Sequence, residues 1–353
     1  MSVTMMDCIA REPEILARIL DEYPQKLAPV RERLAQGPVR RLLILATGSS
    51  MNAAQCAAYA FSAWAQIQVE IKEPYPFTHY ERFDEATDWV IALSQSGKSH
   101  STLQAQRKAQ AAGRAAYCMT SNGDSPLAQE ADALLDINCG IEPVGFVTLG
   151  FSATVLNLLL IALMAGEAQG GISAVERDNT LNSLRALTQR LPEVMRRTDA
   201  FITRHQALLS SAPRYVAIGY GGLVGVAKEF ETKFTETVRC PSSGFELEAY
   251  MHGPYLEANA GHLLLFIEDA PDARSGALRE YMRPHVKAAL TFSAAGDGDD
   301  QTLALDFPLD PLLAPLLLIV PVQILAFRVA AMKGIDLGVR IFDDFDKVLQ
   351  SKI

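Results

Sequence analysis

Residues 91–102, IALSQSGKSHST, place hydroxyl and amide side chains directly after an apolar run. A helical pattern begins at once, so this polar cluster lies at the start of a predicted helix. The first backbone N–H groups of a helix lack partners within it, and the helix dipole is positive there, which suits a bound anion. A serine-rich turn that only caps the helix is the alternative interpretation.

A second turn of the same kind follows the earlier apolar run 41–46. The carboxyl ends of parallel strands meet at one edge of a sheet, where ligands bind. Two hydroxyl-rich turns at that edge favour an anion site. Neither turn has the spacing of a Walker loop or of a dinucleotide fingerprint. The candidate anion-binding residues are Thr47, Gly48, Ser49 and Ser50 in the first turn and Ser94, Gln95, Ser96, Gly97, Ser99 and Thr102 in the second.

Short apolar runs alternate with helical patterns along most of the chain, which predicts βαβ units and parallel sheets. The strand–turn–helix pattern of residues 42–61 returns in outline at 215–234. We therefore expect two tandem doubly wound domains of flavodoxin-like type, each an αβα sandwich. The predicted strands are 41–46, 68–72, 89–93, 115–119 and 133–138 in the first half and 214–218, 262–267 and 286–292 in the second.

The expected organisation has five parts. They are a helical lead-in over 1–34 that breaks near Pro24, a first α/β domain over 35–170, a helical connection over 171–208, a second domain over 209–340 and a tail over 341–353. Two nearly all-apolar stretches, 151–166 and 312–327, are expected to be buried core helices.

Composition excludes several classes of protein. The 353 residues carry a net charge of -9, which argues against a nucleic-acid or anionic-membrane partner. Five cysteines without CxxC spacing predict buried free thiols in a reducing compartment rather than disulfides or zinc. No signal-peptide pattern opens the chain, so we expect a cytoplasmic protein. No metal-binding motif is visible, and we expect no metal and no cofactor.

The two halves differ at the later turn. In the second half the corresponding segment is 268–274, EDAPDAR, which carries Glu268, Asp269 and Asp272. Three carboxylates repel a phosphate. We therefore expect only the first half to bind the anion.

Several segments together resemble the double sugar-isomerase (SIS) domain family over nearly the whole chain. They are LATGSSMNAA, ALSQSGKSHST, TSNGDSPLAQEAD, KEFETKFTE, EAYMHGP and VPVQILAFRVAAMKGID. The chain is similar to the isomerase half of glucosamine-6-phosphate synthase, to fructosamine-6-phosphate deglycases and to sugar isomerase/deaminases. This resemblance implies that the hydroxyl turn of residues 94–102 holds a sugar phosphate.

The resemblance also implies catalytic positions in the second half. By the family pattern these are Glu236, His252, the helix residues Lys233 and Glu229, and a tail lysine that matches Lys347 best and Lys352 second. Val147 and Leu149 stand where synthases carry a serine and a lysine, and Ala249 stands where relatives often have an acid. These departures border the expected sugar pocket and leave the substrate open.

Ketose–aldose interconversion needs a base that moves a proton between C1 and C2 and an acid/base that opens the sugar ring. A partly desolvated carboxylate suits the first task, and an imidazole suits the second. Glu236 and His252 supply such a pair. Each also has a plain structural interpretation, Glu236 as a helix acid paired with Lys233 and His252 as a loop histidine before Gly-Pro.

The expected function is that of a phosphosugar-processing enzyme. The two reactions considered are deglycation of a fructosamine 6-phosphate, which we favour, and isomerisation or deamination of an amino-sugar 6-phosphate. The alternative is a sugar-phosphate sensor without catalysis. The resemblance further implies a homodimer with shared active sites, and we expect no glutamine hydrolysis by this chain.

Overall fold

Residues 3–296 and 298–353 are described by a computed structural model of the chain. They divide into two units. The first unit comprises Glu14–Arg185 and Arg340–Ile353, and the second comprises the residues up to Pro13 together with Ala186–Val339. Each unit contains a five-stranded parallel sheet.

Three helices open the chain: α1 (Met5–Ala10), α2 (Glu12–Lys26) and α3 (Ala28–Ala35). Pro24 lies inside α2 and does not interrupt it. The break predicted near Pro24 is found at Leu27 instead. Pro29 accounts for the new start, because proline is well tolerated in the first turn of a helix, where its missing N–H has no partner to lose.

The first unit follows the predicted alternation. Its elements are β1 (Arg41–Leu45), α4 (Ser49–Ala65), β2 (Gln68–Lys72), α5 (Pro74–His79), β3 (Trp89–Leu93), α6 (His100–Ala111), β4 (Ala116–Thr120), α7 (Pro126–Gln129), β5 (Ala133–Asp136) and α8 (Leu149–Ala168). The strand order is β2-β1-β3-β4-β5. Strands β3 and β4 are buried along their whole length, as expected for a parallel sheet covered on both faces.

A long helix, α9 (Ala174–Arg204), and α10 (Gln206–Ser211) precede the second sheet. The elements that follow are β6 (Arg214–Gly219), α11 (Leu223–Lys233), a π-helical turn (Phe234–Val238), β7 (Ser242–Glu246), α12 (Leu247–Met251), β8 (His262–Glu268), α13 (Ala273–Met282), β9 (Ala288–Ser293), β10 (Thr302–Ala304) and α14 (Ala314–Met332). The tail contains α15 (Phe345–Leu349).

The second sheet has the order β10-β9-β8-β6-β7. Numbered within its own half, this is the same 2-1-3-4-5 order as in the first sheet, which is the flavodoxin-like arrangement. The predicted fold class, two tandem doubly wound parallel-sheet domains, is therefore confirmed.

Two strands of the second sheet, β7 and β10, were not predicted, although Ser242–Gly244 at the start of β7 has the composition of a turn. Helix packing explains β7. A Cβ atom at Gly244 would lie 2.0 Å from the backbone oxygen of Ala227 in α11, so the glycine lets strand and helix approach closely. The Gly244 N–H also donates to the Glu231 carboxylate at 2.9 Å. Turn-forming residues thus become a strand that pairs with β6 and packs closely on α11.

Two of the described helices, α8 and α14, are long and apolar enough to cross a membrane by length and composition. Within the fold, 94% and 78% of their most apolar windows are buried. Both are core helices, as predicted for 151–166 and 312–327. Helix α8 packs along α4 in the first unit, and α14 packs on α11 in the second.

Candidate functional site

The turn after β1 begins helix α4. Gly48 precedes the helix with φ +56°, a left-handed conformation that favours glycine. Thr47 and Gly48 are exposed, and Ser49 and Ser50 are half-buried. The predicted residues therefore present hydroxyls and backbone N–H groups at the start of a 17-residue helix.

The turn after β3 is tied to its neighbours by backbone hydrogen bonds. The Ser94 N–H donates to the Met119 carbonyl at 3.1 Å, and the Gly97 N–H donates to the Ser94 carbonyl at 3.0 Å. Gly97 has φ +67°, and a Cβ atom there would lie 2.0 Å from the Ser125 hydroxyl oxygen. Only glycine fits this position, because the backbone is left-handed and Ser125 lies so close.

Ser99 caps helix α6, as the alternative interpretation of this segment required. Its hydroxyl oxygen accepts hydrogen bonds from the Thr102 N–H at 3.4 Å and from the Thr102 hydroxyl at 2.9 Å. Thr102 is fully buried. The half-buried Ser96 lies before the helix, and its hydroxyl accepts a long 3.4 Å contact from the Lys98 N–H. Ser96 is thus better placed than Thr102 to meet a ligand.

Strand pairing brings the two turns side by side. Strands β1 and β3 are adjacent and parallel, with Leu45 opposite Ala92 near their carboxyl ends. The turns that begin at Thr47 and Ser94 therefore leave the same edge of the sheet at neighbouring positions. This is the arrangement that the sequence predicted for an anion site.

The C-terminal tail pairs with the second turn, a contact that sequence reasoning missed. Ser99 and Lys352 form an antiparallel bridge. The His100 N–H donates to the Ser351 carbonyl at 3.2 Å, and the Ile353 N–H donates to the Lys98 carbonyl at 3.0 Å. The tail thus lies along the start of α6.

The two tail lysines occupy different settings. The Lys352 ammonium bonds Asp346 at 2.7 Å, while its backbone lies against Ser99. Lys347 is exposed on α15. Both remain candidates for the tail lysine, with the Lys352 backbone beside the hydroxyl turn.

Three predicted residues of the second unit form one charged cluster. The Lys233 ammonium lies 3.5 Å from the Glu229 carboxylate and hydrogen-bonds the Glu236 carboxylate. Lys233 and Glu229 are buried, whereas the Glu236 side chain is 39% exposed. The π-helical turn that begins at Phe234 carries Glu236, and such turns are frequent at functional sites. One buried cation therefore holds a carboxylate that can still reach solvent.

His252 follows α12 and is exposed. Its Nδ1 lies 2.8 Å from the Glu248 carbonyl oxygen. A carbonyl only accepts, so Nδ1 donates, and in the neutral ring Nε2 is left as the proton acceptor. The Glu248 side chain bonds Arg274 at 2.7 Å, which holds the pKa of Glu248 below its usual value. The Glu248 backbone and side chain thus have separate partners.

The corresponding turns of the second unit are filled by the protein's own groups. The Tyr220 hydroxyl, after β6, donates to the Asp269 carboxylate at 2.7 Å, after β8. The Asp272 carboxylate accepts from the Ser275 N–H at 2.8 Å and caps α13. Glu268 is buried, with its pKa raised by burial, and pairs with Arg279 at 2.9 Å. Carboxylates occupy the positions where an anion would bind.

A further cluster that sequence reasoning missed lies before α8. Glu142 accepts hydrogen bonds from Thr148 and Gly150 at the start of that helix. A carboxylate shortly before a threonine and a long apolar helix was the available signal. Among the residues that the structure describes, no group of His, Cys, Asp and Glu could hold a metal ion.

Comparison with known proteins agrees with this geometry. The family model described as the SIS domain matches residues 38–165. The glutamine–fructose-6-phosphate aminotransferase [isomerizing] of Corynebacterium diphtheriae is 26% identical over 308 residues, which cover 84% of this chain and 49% of that protein. The chain thus spans about half the length of the curated relatives it matches.

Two solved structures share the fold. A Clostridium difficile 630 protein proposed to be a phosphosugar isomerase superposes with a TM-score of 0.91 at 23% identity, covering 99% of this chain and 98% of that one. The C-terminal domain of glucosamine-fructose-6-phosphate aminotransferase from Francisella tularensis gives 0.83 at 18% identity, covering 94% and 96%. Residues 38–165 thus match the SIS domain family, and the two solved structures show that the chain shares their two-sheet fold.

Proposed function

We propose that the protein is an enzyme that processes a phosphorylated sugar, with a fructosamine 6-phosphate or an amino-sugar 6-phosphate as substrate. One observation carries the proposal. Two hydroxyl-rich turns, beginning at Thr47 and Ser94, stand at helix N-termini on adjacent strands. In the second unit the turn after β8 carries carboxylates instead, and one of them, Asp269, bonds Tyr220 in the turn after β6. The first unit therefore has the chemistry to bind a phosphate.

In this proposal the phosphate accepts hydrogen bonds from Ser94 and Ser96 and from N–H groups at the starts of α4 and α6. Helix N-termini favour anions through their unpaired N–H groups and the helix dipole. Hydrogen bonds to a charged acceptor are stronger than neutral ones. A net charge of -9 is no obstacle, because these contacts act over short distances.

Glu236 is proposed as the base. It removes the C1 proton of an open-chain fructosamine 6-phosphate, which gives an enaminol, and returns a proton to C2. The product is an imine at C1, which water hydrolyses to hexose 6-phosphate and free amine. Lys233 compensates the charge of Glu236 and is itself balanced by Glu229. Proton transfer of this kind is ordinary general acid–base chemistry.

His252 is proposed to open the sugar ring. Because Nδ1 is held by the Glu248 carbonyl, Nε2 is the nitrogen that can exchange a proton with the ring oxygen. A tail lysine, Lys347 or Lys352, completes the proposed catalytic set. We also propose that the protein is cytoplasmic and works without a cofactor as a homodimer whose active sites combine residues of both subunits.

The test is turnover of a panel of phosphorylated ketosamines and aldosamines, with the unphosphorylated compounds as the matched substrate control. We expect release of hexose 6-phosphate from a fructosamine 6-phosphate, and no turnover without the phosphate. Glu236→Gln should abolish the activity, whereas Glu280→Gln, which alters an exposed carboxylate on α13, should keep it. Absence of turnover with every compound overturns the proposal, and binding without turnover would instead support a sensor.

A further inference from the structure

Glu142 holds the segment between β5 and α8. Its carboxylate accepts the Thr148 N–H at 2.9 Å, the Thr148 hydroxyl at 2.6 Å and the Gly150 N–H at 3.0 Å. N–H groups at a helix start lack partners inside the helix, and a carboxylate there also interacts favourably with the helix dipole. Residues 142–150 are thereby closed into a loop, here called the Glu142 loop.

The Glu142 loop brings the backbone of Gly150 against Gln95. A Cβ atom at Gly150 would lie 2.7 Å from Gln95 Cγ and 3.0 Å from Gln95 Nε2, so the amide side chain rests directly on the glycine. The backbone carbonyl oxygen of Gln95 accepts hydrogen bonds from the Thr120 hydroxyl at 3.1 Å and from the Ser121 N–H at 3.0 Å. Gln95 is therefore fixed between α8 and the end of β4.

The position of Gln95 in the chain makes this contact important for binding. Gln95 stands between Ser94 and Ser96, the two hydroxyls proposed to bind phosphate. We therefore expect a displacement of the Gln95 side chain to shift the backbone that carries both hydroxyls. The Glu142 carboxylate also fills the N-terminus of α8, while the turns before α4 and α6 carry no acid.

The geometry points to Glu142 as a positioning residue for the phosphate turn. It fixes the Glu142 loop, the loop fixes Gln95 through Gly150, and Gln95 keeps Ser94 and Ser96 aimed at the ligand. The role in binding rests on the proposed function, but the mechanical coupling of Glu142 to the turn does not.

The first test compares three variants by calorimetric titration with glucose 6-phosphate and by steady-state kinetics. Glu142→Gln replaces an accepting oxygen by an amide N–H, which cannot accept the backbone N–H groups that Glu142 binds. In Gly150→Ala the new methyl group takes the space that the Gln95 side chain occupies. Each should raise the dissociation constant about tenfold, the effect of a poorly aligned hydrogen bond to a charged group. KM should rise with kcat within about twofold, because the loss concerns binding of ground state and transition state alike.

Glu176→Gln is the matched control for the charge change. Glu176 also accepts hydrogen bonds at a helix start, from the Ser173 N–H and hydroxyl at 2.7 Å each, but it belongs to α9. Its variant should bind glucose 6-phosphate like the wild type. Equal weakening in Glu176→Gln and Glu142→Gln, or wild-type affinity in both Glu142→Gln and Gly150→Ala, would overturn the proposal.

The second test needs no ligand. Hydrogen exchange should accelerate at residues 94–97 as well as 148–150 in Glu142→Gln, with β8 as an unchanged reference. Faster exchange at residues 148–150 alone would show that Glu142 only caps helix α8, and the proposed coupling to the phosphate turn would be wrong. If wild-type protein binds no sugar phosphate, the proposed function is wrong, while the exchange data still decide the coupling. If Glu142→Gln does not fold, hydrogen exchange at residues 94–97 in Gly150→Ala decides whether the loop is coupled to the phosphate turn.

Discussion

Lys233 and Glu229 form an ion pair inside the second unit, with 3.5 Å between ammonium and carboxylate and both side chains removed from solvent. The same ammonium hydrogen-bonds Glu236, which is partly exposed. Desolvation of a charge is costly unless it is paired, so each group depends on the others. The buried ion pair therefore contributes to the stability of the protein and also holds Glu236, the residue that we propose as the base.

Glu229→Gln should therefore destabilise the protein. The substitution preserves the size of the side chain but removes one of the two carboxylates that compensate the buried Lys233 ammonium. Removing one partner of a buried ion pair lowers the free energy of unfolding by about 3 kcal/mol. Urea denaturation at neutral pH measures the loss. Glu280→Gln, whose exposed carboxylate pairs with Arg283 at 3.3 Å, is the control and should leave the urea midpoint unchanged. Equal midpoints for Glu229→Gln and wild type would show that the buried pair contributes no stability.

Ser94→Ala and Ser96→Ala should each weaken binding of glucose 6-phosphate. Loss of a hydrogen bond to a charged group costs about 1–3 kcal/mol. Isothermal titration calorimetry gives the affinity, and Ser62→Ala, at the exposed far end of α4, is the control. A bound phosphate found at 268–274 instead would contradict the assignment of the site to the first unit.

Gly97→Ala should disrupt the turn more than Gly113→Ala does. Both glycines have left-handed backbones, with φ +67° and +77°, and an L-residue there costs about 1 kcal/mol. A Cβ atom at Gly97 would also collide with the Ser125 hydroxyl, whereas nothing lies within 4 Å of one at Gly113. Gly97→Ala should have a lower unfolding temperature and a weaker affinity for phosphate than Gly113→Ala. Similar losses in the two variants would mean that the collision is relieved elsewhere.

The cysteines should differ in reactivity. Burial raises the pKa of Cys118 to about 12 and that of Cys139 to about 11, so almost no thiolate is present at pH 8. Cys240 is only half-buried, and we expect it to react first with Ellman's reagent. Cys240→Ser should remove the fast phase. Mass spectrometry that finds early labelling at Cys118 would contradict this order.

Mixed dimers should recover activity if active sites are shared between subunits. Glu236→Gln and His252→Ala proteins are each expected to be inactive. After subunit exchange, a mixed dimer would hold one site with both changes and one with neither, so its activity should reach at most about half that of the wild type. Exchange verified by mass, without recovered activity, would exclude shared sites, as would an active monomer in light scattering.

Much of the fold was predictable because its signals are local. Strands such as β2 and β3 lie where apolar runs end at turn residues, and each has the predicted bounds. The hydroxyl turns were predicted for the same reason, since each follows a strand and precedes a helix within a few residues. Adjacent parallel strands then brought Thr47 and Ser94 to one edge. Periodicity and turn chemistry therefore predicted the two sheets, apart from β7 and β10, and the residues of the candidate anion site.

Other features depended on partners far away in the chain. Ser242–Gly244 has the composition of a turn, yet its pairing with Tyr215–Ala217 of β6 makes it part of β7. Ser99 meets Lys352 only because the tail returns to the first unit.

The same holds within the candidate sites. The contact of Gln95 with Gly150, and the burial of Lys233 beside Glu229, arise from packing between elements. By itself, the sequence determined the elements and the residue types at the sheet edge. Only the tertiary structure decided which groups are buried, paired or exposed, because desolvation and hydrogen-bond geometry depend on neighbours that local patterns do not specify.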